Sequence, residues 1–288
     1  MKLGYPTITW GGVVGTPEGV TSVANSFYRT NGSTPDALRD IAAAGFTGTE
    51  VFDGNLLDFE GGASAFSRVL EETGLELVSV YTGANFIFEE IAAEEFAKIS
   101  RAAQLAAEFG ASRLVVGGGA QRAGGPADGD LSRLARGLDR SAEIAAEHGL
   151  QASYHPHLGT LVETPEALSE LMPLTTIAFC PDTAHLAAGG GDPAHLIREY
   201  GDRLAHVHLK DWNSSTKRFL PLGQGELDFP GIIQAIRETG YDSWLMVELD
   251  YYDGDPADAA RISRQFLEQV LADQSFHESR PSRQVKEH

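Results

Sequence analysis

Cysteine is nearly absent. Cys180 is the only one in 288 residues, so no internal disulfide can form. It follows Phe179 in an apolar run and reads as a small buried hydrophobe. That usage fits a reducing cytoplasm. Basic residues are scarce too. Lys plus Arg number 22 against 41 Asp plus Glu, a formal charge of −19. Such a field repels phosphate backbones and anionic bilayers, so neither nucleic acid nor membrane is expected as a partner. It favours cations and neutral small molecules. No apolar run reaches the length of a membrane span. The opening residues Met1-Lys2-Leu3-Gly4-Tyr5-Pro6 lack the long apolar stretch of a secretory signal. Linkers and low-complexity stretches are missing as well.

What is present is rhythm. Short apolar or alternating runs recur at Leu3–Thr9, Gly48–Phe52, Leu75–Tyr81, Arg113–Val116, Leu150–His155, Thr176–Cys180, Leu204–Leu209 and Trp244–Leu249. Each has the β-branched or aromatic content, or the bounding turn residues, of a strand. Amphipathic helical segments lie between them: Pro35–Ala44, Ala63–Thr73, Glu90–Phe109, Leu131–His148, Pro165–Met172, Pro193–Tyr200, Pro230–Thr239 and Asp258–Ala272. Several end at a glycine able to serve as a left-handed C′ residue, namely Gly74, Gly110 and Gly149. The β-then-α order holds throughout, and eight repeats close an α/β (β/α)8 barrel. One barrel domain is expected over 1–274, with a polar tail at 275–288. Two long loops, Gly11–Gly32 and Asp211–Gly225, follow strands 1 and 7 at the C-terminal mouth, where such loops shape sites.

The chemistry concentrates in the second half. His155, Asp182, His208 and Glu248 fall at the expected C-terminal ends of strands 5, 6, 7 and 8. Strand alternation tests them. Ala205, Val207 and Leu209 take the outward phase, while His206, His208 and Lys210 take the inward one. Leu245, Val247 and Leu249 face out and Glu248 faces in. Ile177 and Phe179 face out and Asp182 falls in the inward phase. Leu150, Ala152 and Tyr154 face out and His155 faces in. Four inward ligands from neighbouring strands describe a metal site. Mixed imidazole and carboxylate suit one divalent cation, Mn²⁺ or Co²⁺ foremost, with Zn²⁺, Fe²⁺ and Mg²⁺ as alternatives.

Five segments carry a family resemblance: Pro181-Asp182-Thr183-Ala184-His185, His206-Val207-His208-Leu209-Lys210-Asp211, Gly223-Gln224-Gly225-Glu226-Leu227-Asp228-Phe229, Trp244-Leu245-Met246-Val247-Glu248 and the looser Gly45-Phe46-Thr47-Gly48-Thr49-Glu50. They resemble the sugar phosphate isomerase/epimerase group of xylose isomerase-like TIM barrels, which also includes endonuclease IV-type repair enzymes. Ketose epimerases of that group place a Glu at the end of strand 5 to exchange a proton with the strand 8 Glu. Here His155 stands in that place, which counts against two-carboxylate epimerisation. The stretch Tyr154-His155-Pro156-His157-Leu158-Gly159-Thr160 is similar to the inosose dehydratase branch.

The resemblance implies a metal-dependent lyase on a keto-cyclitol or keto-sugar. A proton next to the ketone is removed, an enediolate is stabilised by the metal, and a β-hydroxyl is lost. It implies that Glu248 can double as base. His185 and Lys210 are the candidate acid, base or oxyanion contacts. Glu50, His157, Trp10 and Trp212 are candidate substrate contacts. Gly117-Gly118-Gly119 lacks the helix start of a phosphate cradle, but nearby Arg122 leaves a phosphorylated substrate open. The rival readings are an isomerase or epimerase on the same metal site, an apurinic endonuclease, and a non-catalytic subunit. Self-association into a homo-oligomer is left open.

Overall fold

Eight short strands pair side by side in parallel. The structure, a computed structural model, describes residues 1–11, 27–59 and 63–278. Its strands are β1 (Lys2–Pro6), β2 (Gly48–Phe52), β3 (Glu76–Ala84), β4 (Arg113–Gly118), β5 (Gln151–Tyr154), β6 (Ala178–Phe179), β7 (His208–Leu209), β8 (Asp211–Asn213), β9 (Arg218–Leu220) and β10 (Trp244–Val247). The large sheet runs β6-β5-β4-β3-β2-β1-β10-β7. Its two edges meet through isolated parallel bridges, Phe179 to Leu204 and Asp182 to His208. Ala205 N donates to Phe179 O at 3.0 Å and His208 N to Pro181 O at 2.9 Å, which closes the ring.

The helices are α1 (Thr34–Ala43), α2 (Asp53–Leu57), α3 (Ala63–Thr73), α4 (Ala92–Glu108), α5 (Asp130–Glu147), α6 (Pro165–Leu171), α7 (Thr183–Ala188), α8 (Pro193–Glu199), α9 (Phe229–Glu238) and α10 (Pro256–Glu278). Their starts follow side-chain capping. Ser33, Thr164, Asp192 and Asp228 accept backbone N–H bonds at the heads of α1, α6, α8 and α9, each with Pro in the first turn. After α4 and α5 the chain reverses through Gly110 (φ 84°) and Gly149 (φ 75°), a left-handed conformation that favours glycine.

Outward strand residues such as Leu114, Val116, Tyr154, Val207, Leu245 and Val247 join the helices in one buried apolar layer. Inside the barrel, Val78, Trp244 and Met246 fill a separate cluster. Gly48 makes room for it, since a Cβ there would lie 2.4 Å from the Trp244 ring. No helix of the described residues is long and apolar enough to cross a membrane.

Several expected boundaries move. The first strand ends at Pro6 rather than Thr9, and residues 7–10 turn as a 3-10 helix. Two short helices at the mouth, α2 and α7, were not expected, because five or six residues show too little periodicity. The loop expected at Asp211–Gly225 contains an antiparallel hairpin, with Asp211, Trp212 and Asn213 opposite Leu220, Phe219 and Arg218. The Asp211 carboxylate holds it by accepting from Trp212 N, Gly223 N, Gly225 N and Leu227 N at 2.8–3.2 Å. The last helix runs on to Glu278, so it includes the first residues of the expected tail, and 279–288 lie outside the described residues. Most of the expected Gly11–Gly32 loop, residues 12–26, also lies outside them.

Candidate functional site

Backbone pairing aims four side chains at one point. His155 N donates to Val116 O at 2.9 Å and so extends the strand ladder one residue past β5, up to Pro156. Asp182 is the N-cap of α7: its Oδ1 accepts from Ala184 N at 2.8 Å and His185 N at 2.9 Å. Its Oδ2 is thereby left for the barrel. His208 pairs with Met246 across β7 and β10, and Glu248 N donates to Leu209 O at 2.9 Å. All four side chains are buried.

One donor atom from each of His155, Asp182, His208 and Glu248 lies within 4.8 Å of the others. The chemistry of these atoms tests whether they fit a cation. His155 Nε2, Asp182 Oδ2 and His208 Nδ1 are buried with no hydrogen-bond partner. His155 Nε2 stands 3.7 Å from Asp182 Oδ2, and His208 Nδ1 contacts Glu248 Oε2. Buried polar atoms are rarely left unpaired without a reason. Two imidazoles and two carboxylates turned to one centre fit a divalent cation.

Lys210 stands beside this group. Its Nζ donates to Glu248 Oε1 at 2.5 Å and Asp250 Oδ1 at 2.8 Å, with Asp182 Oδ2 at 3.2 Å and His185 Nε2 at 3.1 Å. Asp211, the other carboxylate near it in sequence, is committed to the hairpin. Burial alone would depress the Lys210 pKa, but Asp182, Asp250 and Glu248 hold it well above the usual lysine value. Burial likewise opposes ionisation of Glu248, and Lys210 with His208 overrides it, keeping that carboxyl well below its usual range. His185 is pushed well below the usual imidazole value by burial, His157 and Lys210, so it is neutral. Burial and the neighbouring imidazole of His155 hold His157 down to about 4. The two rings lie against each other at a tilt of 40°, with centroids 3.7 Å apart.

Above the four lies a cavity of about 330 Å³. Glu50, His155, His157, Glu248 and Asp250 form its polar part, and Ile8, Tyr28, Phe52 and Tyr81 form its apolar wall. Tyr81 packs edge to face against Tyr28 and Phe52, and Tyr28 lies tilted against Phe52, with centroids 5.4–5.8 Å apart. Glu50 lines the cavity but turns Oε2 inward. There it accepts from Ser79 Oγ at 2.5 Å, with His208 Nε2 at 3.3 Å and His206 Nε2 at 3.5 Å. Burial raises the Glu50 pKa, but His208 and His206 outweigh that and bring it to about 2.

The structure thus brings together His155, His157, Asp182, His185, His208, Lys210, Glu248 and Glu50. It leaves Trp10 and Trp212 outside. Trp10 donates from Nε1 to Asp40 at 2.8 Å, facing α1. Trp212 packs at a tilt against Phe219 of the hairpin and does not line the cavity. The expected aromatic wall is corrected accordingly: a tryptophan at a strand end has no fixed direction, and these two find partners elsewhere. Sequence reasoning missed Asp250, which continues the inward phase two residues past Glu248. It passed over His206, which has the same parity as His208. Phe219, with its ring 4.9 Å from both the His185 ring and Lys210 Nζ, had no signal because the hairpin was unread.

Comparison with known proteins gives the family. Over 282 residues the chain is 30% identical to the rhizopine catabolism protein MocC of Rhizobium meliloti, covering 85% of this chain and 84% of that one. It is 29% identical over 275 residues to an inosose dehydratase of Geobacillus kaustophilus, covering 81% and 86%. The fold superposes on that of an L-ribulose 3-epimerase with a TM-score of 0.75 at 18% identity, over the full length of both chains. Relatives and neighbours of this sort are dehydratases, epimerases and isomerases, and the chain is an enzyme of that kind. The pattern of the xylose isomerase-like TIM barrel family matches residues 38–270, and the chain belongs to that family.

Proposed function

We propose that the chain is a divalent-metal-dependent dehydratase acting on an unphosphorylated keto-cyclitol or keto-sugar. The observation that carries this reading is the convergence of buried donor atoms from His155, Asp182, His208 and Glu248 beside the cavity. These four residues would hold the metal, and the metal would supply Lewis-acid polarisation of the substrate ketone.

The remaining chemistry belongs to the side chains. Glu248 lines the cavity as an ionised carboxylate and is placed to accept the proton from the carbon next to the ketone. Lys210 keeps it ionised and puts positive charge behind the developing oxyanion. Loss of the β-hydroxyl breaks a C–O bond and forms a C=C bond conjugated to the ketone. The departing oxygen takes one proton from a donor lining the cavity and leaves as water. Asp250, whose carboxyl is raised to about 6 by burial, is the lining group able to carry that proton. His185 stands behind His157 and against Lys210, where it supports both rather than reaching substrate.

A phosphate finds no counter-charge among the described residues of this cavity. None of the described residues lining the cavity is Lys or Arg. Arg122 is bound to Asp130 at 2.9 and 3.0 Å and to Ile87 O at 3.2 Å. Segment 12–26, in the loop after β1, contains neither Lys nor Arg. The relatives named as inosose dehydratases support the choice of a dehydrating reaction, and His155 in place of a strand 5 Glu weakens the epimerase alternative.

The test is incubation of metal-loaded enzyme with 2-keto-myo-inositol in D₂O. Appearance of an enone or dione chromophore with loss of water is the expected result. Deuterium wash-in without loss of water would establish an epimerase instead. Metal content that is undiminished in His208→Ala would remove the proposed centre.

A further inference from the structure

Glu50 sits on β2, across the barrel from β7, yet its carboxylate meets the inner edge of the His208 ring. The ring lies between two carboxylates: Glu50 Oε2 at Nε2 and Glu248 Oε2 at Nδ1. A neutral imidazole carries one N–H, and the nitrogen without it supplies a lone pair. An ionised carboxylate can only accept. Both are anchored, Glu248 by Lys210 Nζ and Glu50 by Ser79. Glu248 is one of the four groups that would hold the ion, so the proton on the far side of the ring falls to Glu50. Glu50 is 2% exposed, and its Oε2 is held by the hydroxyl of Ser79, its register partner on β3.

We infer that Glu50 is a positioning residue of the metal centre: it retains the Nε2 proton of His208 and so turns the Nδ1 lone pair toward His155, Asp182 and Glu248. This rests on the metal-site reading proposed above. A second cluster competes with those four residues for an ion, because Glu50, His206 and His208 also bring donor atoms within 4.8 Å of one another. Hydrogen bonding separates the two. In the inner trio Glu50 Oε2 is already bonded by Ser79 and faced by both Nε2 atoms. In the outer group the His155 ring nitrogens carry no hydrogen bond, and Asp182 Oδ2 and His208 Nδ1 meet only Lys210 and Glu248, charged groups of the same site. A satisfied cluster supports, and an unsatisfied one binds. Ordinarily a carboxylate behind a ligating imidazole fixes the tautomer and raises its basicity. His206, two residues earlier on the same face, packs its ring 5.2 Å from that of His208 and faces Glu50 from the other side.

The test uses metal-stripped full-length protein titrated with Co²⁺, read by absorption and by calorimetry. Wild type is expected to bind one ion. Glu50→Gln offers an amide that can donate to Nε2 and favour the wrong tautomer, so its affinity should fall by roughly 10–100-fold. Glu50→Asp should recover part of the loss. Nitrogen-15 spectra of histidine-labelled wild type give a reading without mutation, using Zn²⁺ as the diamagnetic ion. With Zn²⁺ bound, His208 should keep a proton on Nε2 and none on Nδ1. An Nε2 without a proton in that state, or Glu50→Gln binding Co²⁺ as tightly as wild type with a raised KM alone, would overturn the inference and return Glu50 to a substrate contact. No Co²⁺ binding by wild type would overturn the metal reading itself, and this one with it.

Discussion

Burying an ammonium among three carboxylates sets the character of Lys210. Its charge is matched by Asp182, Glu248 and Asp250, and its open side is covered by the Phe219 ring. In metal-free protein, Lys210→Met should therefore destabilise the fold by about 3–5 kcal/mol near neutral pH, the usual cost of stranding buried partners. The pH dependence has a defined sign. Asp182 and Glu248 have folded pKa values below their unfolded ones, so the stability they contribute is present above pH 4 or so and lost as pH falls. The gap between wild type and variant should narrow on acidification, as measured by urea unfolding across pH. A gap that is constant with pH would mean that Lys210 acts by packing alone. The pairing was legible only in part. Strand parity placed Lys210 in the barrel, but nothing in the spacing selects Glu248 and Asp250 over adjacent Asp211 as partners. That choice is made by the hairpin, whose backbone amides claim Asp211.

Short elements at the mouth are where sequence and structure part. The helix α2 is five residues long and has no amphipathic period, yet it anchors the chain returning from the first long loop. Tyr28 N and Gly54 N each donate to Asp53 Oδ1 at 2.8 Å, and Thr82 Oγ1 donates to Oδ2 at 2.7 Å. Thr30 and Asn55 repeat the tie one residue pair further along. These contacts place Tyr28 against Phe52 and Tyr81 in the cavity wall, so a buried aspartate far from the ligands shapes the site. Burial raises the Asp53 pKa to about 6, against the opposing pull of Lys98. Between about pH 4 and pH 6 the folded chain therefore holds a proton that the unfolded chain releases. Stability falls as pH rises through that window and is flat above it. The expected loss is at most about 3 kcal/mol, from about two pKa units. Asp53→Asn keeps the Oδ1 acceptor and cannot titrate. Its stability relative to wild type should rise over the same window in thermal melts, and a parallel pH profile would disprove the assignment.

At the scale of the whole molecule, the half of the barrel that was easiest to read is the half that carries the chemistry. Parity works wherever a strand must send apolar residues to the helices and polar residues inward, and β5, β7 and β10 obey it. It says nothing of closure. The segments that meet at the seam between β6 and β7 contribute only two regular residues each, and isolated bridges join them. Asp182 stands on one side of that seam and His208 on the other, so a shared cation would span the weakest join in the ring. Binding to the folded state alone stabilises it by mass action, about 2.7 kcal/mol at a hundredfold excess over Kd. The gain should be local as well as global. The amides of Ala205 and His208, which bond across the seam to Phe179 O and Pro181 O, should exchange more slowly with deuterium when Mn²⁺ or Co²⁺ is added. Amides of β2 and β3, which pair through five register positions, should change little by comparison. Asp182→Asn keeps the α7 cap through Oδ1 but replaces Oδ2 with a donor, so its seam should show no metal-dependent slowing. Equal slowing in wild type and Asp182→Asn would mean that the cation binds elsewhere, and the two halves of the seam would then owe their closure to backbone bonds alone.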